Sequence, residues 1–421
     1  MKDNGDENCM SKKQLGVIFG SRSCEREVAI ISAVQLMHHV NREKYDVIPV
    51  YIAEDGCWYT GEALEKIETF RGFSPKTAGI RKVRLDLTAG SGALLATETT
   101  GGLFQKEKTV IAARVDVFLV VMHGLNGEDG TLQGLLELAN LPYTSTGVAG
   151  SAVAMDKIMM KQFFRGGGLP VLPGEWTSRR RFEADPDGEI RRIGESLGYP
   201  VFVKPANQGS SIGVSRADDP EGLRDSLELA FEYDRRVLVE KGLNQPIELN
   251  CSVLGYDEET EASPIEMPLT GGEPFLDFNE KYLAGGGSKD MASLHRVLPA
   301  PIEDELKEKI QSLSRQIFTM LDCKGVVRID YMFDRDSGEL YITEINAIPG
   351  SLSFYLWENA GLKYSALIDR MVECAEKAHG DRNAVTYAYS SDILSQASFG
   401  SKGAKGAKGS KGAKGGPGGS L

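Results

Sequence analysis

The sequence has no long hydrophobic run. Its best apolar stretch, Val115 to Met122, is interrupted by Asp116 and falls far short of the roughly 20 apolar residues that a membrane-spanning helix needs. Met1 to Lys13 is polar and lacks the apolar core of a signal peptide. Paired cysteines are missing too. Cys9, Cys24, Cys57, Cys251, Cys323 and Cys374 are scattered, with no CxxC and no histidine at metal spacing beside them. These absences speak against a membrane span, a disulfide scaffold or a zinc site, and lead to the expectation of free thiols in the cytoplasm. Positive charge is scarce as well. The net charge is −12, and five lysines with no acid lie beyond Gly400, so the body before them stands at −17. Such a chain suits nucleic acid poorly, because the phosphates of nucleic acid demand cations. Sites for anionic small molecules must rest on a few placed lysines and arginines.

What is present is length and pattern. The 421 residues, 41% of them hydrophobic, suffice for two or three domains. Leu15–Gly20 reads as a strand, Val28–Val40 as a helix, Tyr45–Ile52 and Val115–Met122 as further strands. Such a βαβ opening predicts an open α/β sheet with a site at its strand ends. Between them, Asp86 to Lys108 is rich in Gly, Thr and Ala and reads as a peripheral excursion. Asp156–Phe164 is helical and stops at Gly166–Gly168; Tyr199–Pro205 is a strand followed by the loop Ala206–Gly213. Leu306, Ile310, Leu313, Ile317 and Leu321 recur at helical spacing as ordinary core. The chain ends in glycines at every third position from Gly400 to Gly418 with Pro417 alone among them. That is too poor in imino acids for a triple helix and predicts a disordered basic tail.

Four segments carry chemistry. A hairpin is expected over Val326–Phe333 and Leu340–Asn346. Residues two apart on a strand share a face, so pairing across Arg335–Glu339 sets Asp330 opposite Glu344 and Arg328 opposite Asn346. Two carboxylates and an amide oxygen are hard ligands suited to Mg²⁺ on nucleotide phosphates; a surface ladder of salt bridges is the competing explanation. Lys204 precedes a Gly/Ser loop, Ala206 to Gly213, that offers backbone N–H groups to phosphate, or forms a plain turn. Lys157, by itself, reads as a solvated helix charge. His123 follows an apolar strand and opens the glycine-rich His123–Gly130, as a ligand group or as a structural histidine. Gly20–Glu27 stands at the equivalent place after the first strand. There Glu25 holds a substrate ammonium or merely favours a helix N-terminus.

Taken in order, Cys24–Val28, His123–Gly134, Gly147–Lys157, Lys204–Gly213, Asp277–Tyr282 and Arg328–Gly350 resemble the D-alanine–D-alanine ligase family, over nearly the whole chain from Leu15 to Cys374. The resemblance implies a three-domain ATP-grasp ligase of α/β class. Its N-terminal open α/β (Rossmann-like) domain would span residues 1–130, its small central domain 131–230 and its C-terminal α+β domain 231–383, with the tail at 384–421. It also implies roles. Glu25 would bind the first ammonium, with His123 nearby. Lys157, Lys204 and Ser211 would hold ATP phosphates; Glu240, Lys241 and Leu243 would form the adenine-side hinge, and Glu248 would meet the ribose. Asp330, Glu344 and Asn346 would bind two magnesium ions, with manganese an acceptable substitute. Arg328 and the backbone of Gly350 would stabilise the oxyanion. Ser210 and Tyr282 would join Glu25 in one network. Lys281, Tyr355 and Leu356 would face the second substrate, under a lid running from Tyr282 to Arg296.

The family implies D-alanine and ATP as substrates, an acylphosphate intermediate and a homodimer. Departures lie at Ser21, Leu276, Phe278 and Ala347, and above all at Tyr355, where many members have serine. Those departures keep D-lactate or D-serine in view as the second substrate. A non-catalytic nucleotide-binding relative fits less well, because every phosphate, metal and oxyanion position is filled by a competent residue. The basic tail offers a further contact to an anionic surface.

Overall fold

The computed structural model describes residues 11–100, 106–269 and 296–387. By its contacts the chain divides into Met1–Arg382 and Asn383–Leu421, and the architecture below is that of the first unit. The Gly/Lys-rich tail from residue 388, like the lid segment before Arg296, lies outside the described residues.

A seven-stranded sheet opens the chain. Its strands are β1 (Lys13–Gly20), β2 (Tyr45–Ile52), β3 (Trp58–Thr60), β4 (Arg81–Leu85), β5 (Ala93–Thr100), β6 (Lys106–Arg114) and β7 (Val117–Val121), in the order β6-β5-β4-β3-β2-β1-β7. Central β1 pairs in parallel with β2 and β7. Such a strand is enclosed on both faces, which is why Leu15, Val17, Ile18 and Phe19 form a continuous apolar run and are fully buried. They share a core with Leu36 and Met37 of the helix Arg26–His39 and with Leu367, Ile368 and Met371 of the helix Tyr364–Ala384. Because β1 and β7 are parallel neighbours, their carboxyl ends adjoin. The loops that follow are tied together by Ser21 Oγ donating to the Leu125 carbonyl at 3.0 Å.

The region expected as a peripheral excursion is instead part of this sheet. Strands β4, β5 and β6 add to it as an antiparallel meander. Residues such as Thr97, Thr99 and Thr109 suit an exposed edge strand, a preference that the abundance of glycine nearby conceals.

Two further sheets follow. One is antiparallel, β10-β9-β11-β8, from β8 (Gly174–Ser178), β9 (Val201–Pro205), β10 (Ser215–Ala217) and β11 (Arg236–Lys241). The other runs β13-β12-β16-β17, from β12 (Ile247–Tyr256), β13 (Glu259–Ala262), β16 (Lys324–Phe333) and β17 (Leu340–Asn346). The short strands β14 (Met267–Pro268) and β15 (Arg296–Val297) pair with each other. The helix Asp304–Met320 turns Ile310, Ile317 and Phe318 into the core beneath β12 and β16. The helix Lys157–Gly166 starts on Asp156, whose side chain accepts from the N–H of Ile158 and of Met159. None of the described helices is long and apolar enough to cross a membrane. Cys24, Cys57, Cys251, Cys323 and Cys374 are free thiols.

Candidate active site

The hairpin places its polar residues as the spacing predicts: Asp330 lies opposite Glu344 and Arg328 opposite Asn346. This register depends on a bulge. From the turn, Phe333, Met332 and Tyr331 pair with Leu340, Tyr341 and Ile342. Unbroken, that ladder would set Asp330 against Thr343 and turn Glu344 to the other face. The ladder shifts between Asp330 and Tyr331, leaving Thr343 as the extra residue with its hydroxyl on the Asp330 carbonyl at 2.8 Å. Arg328 then grips Asp330 through two bonds of 2.6 and 2.7 Å, and the Asn346 amide donates to Asp330 at 3.0 Å.

The row continues across the sheet. Asp330 pairs with Asn250 on β12, and Asn250 with Glu266, so Glu344, Asp330, Asn250 and Glu266 share one face. Burial pushes the Asp330 carboxyl up, with Glu344 and Glu266 adding to it against Arg328. The two carboxylates repel each other, and together with the Asn346 amide oxygen they fit a hard divalent cation, which would relieve that repulsion. Among the described residues no trio of His, Cys, Asp or Glu forms a metal cluster; the third donor here is an amide.

Lysines gather at the Glu344 end. Lys157 Nζ donates to the Gln208 carbonyl at 2.8 Å and lies 3.5 Å from Glu344, joining the loop after β9 to the hairpin. Lys204 and Lys161 each lie 2.7 Å from Glu240, which is 1% exposed. Burial opposes ionisation of Glu240, but the two lysines outweigh it and hold the carboxyl at about 2. The lysines themselves diverge. Burial wins at Lys161 and lowers it, whereas at Lys204 Glu240 wins and raises it. Lys161, with a side chain only 4% exposed, is the deeper of the two. One carboxylate thus holds two lysines, one of them on β9, the strand that leads into the Ala206–Gly213 loop. In that loop Ser210 and Ser211 take left-handed conformations, φ 50° and 59°, a cost accepted where a tight turn must present backbone N–H groups.

Glu25 anchors the other end. It is buried before the first helix and takes a hydrogen bond from Ser210 Oγ. Two glycines hold it close: a Cβ on Gly124 would stand 2.6 Å, and one on Gly209 2.5 Å, from Glu25 Oε2. Glu128 accepts from the N–H of Gly124 at 2.8 Å and of Ile348 at 2.9 Å. Burial pushes its carboxyl up to about 8, with Glu25 adding to the rise. His123 has both ring nitrogens engaged, at 2.9 Å from the Ile348 carbonyl and 3.2 Å from Ser32 Oγ, and burial lowers it to about 4. It is a neutral clamp between β7 and the segment after β17, and its ring nitrogens are not open to a ligand.

The remaining expected residues divide. Glu240 turns its carboxylate inward to the lysines, so only its backbone is left for the hinge; Lys241 is exposed and Leu243 and Glu248 are half-buried. Gly350 opens a turn in which Ser351, Leu352 and Ser353 are all left-handed, φ 46°, 56° and 49°, at about 1–2 kcal/mol for each such residue. Leu356 is fully buried, so its side chain belongs to the core rather than to a ligand. Tyr355 donates to Glu266 at 2.7 Å. Lys281 and Tyr282 lie outside the described residues. Lys161, Glu128, Asn250, Glu266 and Arg296 were missed. Lys161 had a signal, since it lies four residues beyond Lys157 on one helix face; Asn250 and Glu266 had none short of the register.

Comparison with known proteins accords with this geometry. The model of the D-ala D-ala ligase N-terminus matches residues 14–146, and that of the D-ala D-ala ligase C-terminus residues 163–373. A D-alanine–D-alanine ligase of Thermosipho africanus is 36% identical over 380 residues, 90% of this chain and 98% of the relative. Among solved structures, the D-alanine-D-alanine ligase of Coxiella burnetii superposes with TM-score 0.72 at 26% identity, covering 88% of this chain and 96% of that one. VanG D-Ala:D-Ser ligase of Enterococcus faecalis does so with TM-score 0.71 at 30% identity, covering 87% and 100%. The chain belongs to the D-alanine–D-alanine ligase family.

Proposed function

We infer that this protein is an ATP-dependent ligase that joins two D-alanines into D-alanyl-D-alanine, a precursor of peptidoglycan. The observation that carries the inference, beside family membership, is the proximity of three sets of contacts, Glu25–Ser210, Gln208–Lys157–Glu344 and Arg328–Asp330–Asn346, the first two sharing the loop after β9 and the last two the Asp330–Glu344 strand pair. These contacts support a site that combines an ammonium acceptor, phosphate-binding cations and hard oxygen donors.

In this reading Glu25 holds the ammonium of the first D-alanine, and its carboxylate is directed at the γ-phosphate of ATP. Lys157, Lys204 and the N–H groups of the Ala206–Gly213 loop steady the transferred group, which yields an acylphosphate. Asp330, Glu344 and Asn346 would hold divalent cations, two magnesium ions or manganese in their place, which when bound would offset phosphate charge. Arg328 and the backbone at Gly350 then receive the charge on the tetrahedral oxygen as the second amine attacks. Such an intermediate is lost to open water, so the site must be covered during the second step. We assign the N-terminal domain to residues 1–130, the central one to 131–230 and the C-terminal one to 231–383, in a cytoplasmic homodimer.

The test is phosphate release from ATP with each pair of D-alanine, D-serine and D-lactate, followed by mass spectrometry of the product. D-alanyl-D-alanine should dominate in equal mixtures. Mostly depsipeptide or D-alanyl-D-serine would overturn the assignment of the second substrate.

A further inference from the structure

We propose that the amine of Lys324, buried in the wall of a cavity remote from the ligase site, is a nucleophile that accepts an acyl group from small acyl phosphates. This modification site does not depend on the ligase reading above.

The cavity, of about 260 Å³, opens where three parts of the chain meet. Glu137 and Tyr143 come from the segment after β7, Tyr256 and Lys324 from paired positions of β12 and β16, and Arg382 from the helix Tyr364–Ala384. Lys324 opens β16 and Asp330 lies six residues further along it, a separation of about 20 Å at the rise of a strand. Gly325 holds the start of β16 in place: its φ is +75°, and a Cβ there would stand 2.2 Å from the Thr144 carbonyl oxygen. The strand thereby presses against the segment that carries Tyr143.

Lys324 is 8% exposed, and its Nζ stands 3.5 Å from the centroid of the Tyr143 ring. Among the described residues it makes no hydrogen bond or ion pair of its own. Its charged neighbours are engaged with others. Glu137 takes the Tyr143 hydroxyl at 2.7 Å and stands 3.4 Å from Arg382 Nη1. Tyr256 donates to Asp381 at 3.0 Å, and His379 Nε2 lies 3.1 Å from the Asn140 carbonyl. Burial lowers the amine to about 7; Glu137, Asp322 and Cys323 oppose the fall and Arg382 adds to it. At neutral pH about half of such an amine has a free lone pair, against about a thousandth or less for an ordinary lysine. Desolvation of this kind is what makes a lysine a nucleophile.

The surroundings also select the product. A buried place beside Glu137 and Asp322 disfavours an anionic adduct such as a carbamate, whereas an amide is neutral. Arg382 supplies a cation for the phosphate of the donor. In the reaction Nζ forms a C–N bond to the acyl carbon, and the C–O bond to phosphate breaks with its electron pair. The proton shed by nitrogen leaves on hydrogenphosphate.

The experiment incubates the full-length protein with acetyl phosphate, without ATP or D-alanine, between about pH 6 and 9. Peptide mass spectrometry follows each lysine at early times. At pH 7 Lys324 should be acetylated about tenfold or more faster than the exposed Lys307 and Lys309, and its rate should level off above about pH 8. Glu137→Gln should move the midpoint of that rise to lower pH and Arg382→Gln to higher pH, since the first removes a charge that favours the ammonium and the second one that opposes it. Modification of Lys324 no faster than that of Lys307, or a midpoint that neither substitution moves, overturns the proposal. Neither result bears on the ligase reading, because no ligase substrate is present.

Discussion

Glu240 and Glu128 are two carboxyls of the same candidate site that respond to their surroundings in opposite ways. Burial raises the cost of charge on each. At Glu240 two lysines at 2.7 Å reverse the sign and hold the carboxyl at about 2. At Glu128 the partners are backbone N–H groups and another carboxylate, Glu25, and the carboxyl rises to about 8. Depth sets the size of the electrostatic cost, and neighbours set its direction. The Glu240 carboxylate therefore does not titrate near neutrality. The Glu128 carboxyl changes its protonation there.

Breaking the lysine end should have the largest effect. Lys161→Ala strips one partner from a fully buried carboxylate and should lower stability by about 3–5 kcal/mol. Urea denaturation measures it. A loss under about 1 kcal/mol would mean that Lys204 alone satisfies Glu240. Next comes the row itself. Glu344→Gln should lower turnover about a hundredfold or more, measured as ADP release across a magnesium titration; near-normal turnover at ordinary magnesium would remove the hairpin from the metal site.

The other end should show itself through pH. Glu128 binds its proton more tightly folded than unfolded, where the carboxyl returns to its ordinary 4.5. The folded state therefore holds the extra proton between about 4.5 and 8, and Glu128's contribution to stability declines as pH rises through that window. Glu128→Gln should flatten this part of the melting-temperature profile, and an unchanged slope would show that another group produces it. The smallest effect concerns the tail. Truncation after Gln396 should leave kinetic constants and melting temperature unchanged, since glycine-rich sequence contributes no core; a large loss of activity would give the tail a part in the enzyme.

Much of this was legible where local pattern and chemistry coincide. β2 has the bounds its apolar run predicts, and Asp330 faces Glu344 as alternation requires. Yet the hairpin turn alone would have misled. The bulge at Thr343 restores the register, and no residue type there announces it. The same blindness hid Asn250 and Glu266, which enter the row only through pairing with distant strands. Lys161 and Glu240 were obscure for another reason: a helix lysine and a strand-end glutamate look solvated until the fold buries them together. Glycines misdirected the reading of residues 86–108, whose strands owe their stability to the sheet they join.

One consequence of the row across the third sheet concerns length. Its members sit on neighbouring strands, and strands are spaced about 4.8 Å apart by their backbone hydrogen bonds, so Glu344 and Glu266 stand about 14 Å apart at their backbones. That span belongs to the peptide ladder and not to any side chain. Substitution along the row can change which atoms meet a substrate, but the spacing of the backbones that carry them stays the same. The sheet thus acts as a ruler for whatever lies across it.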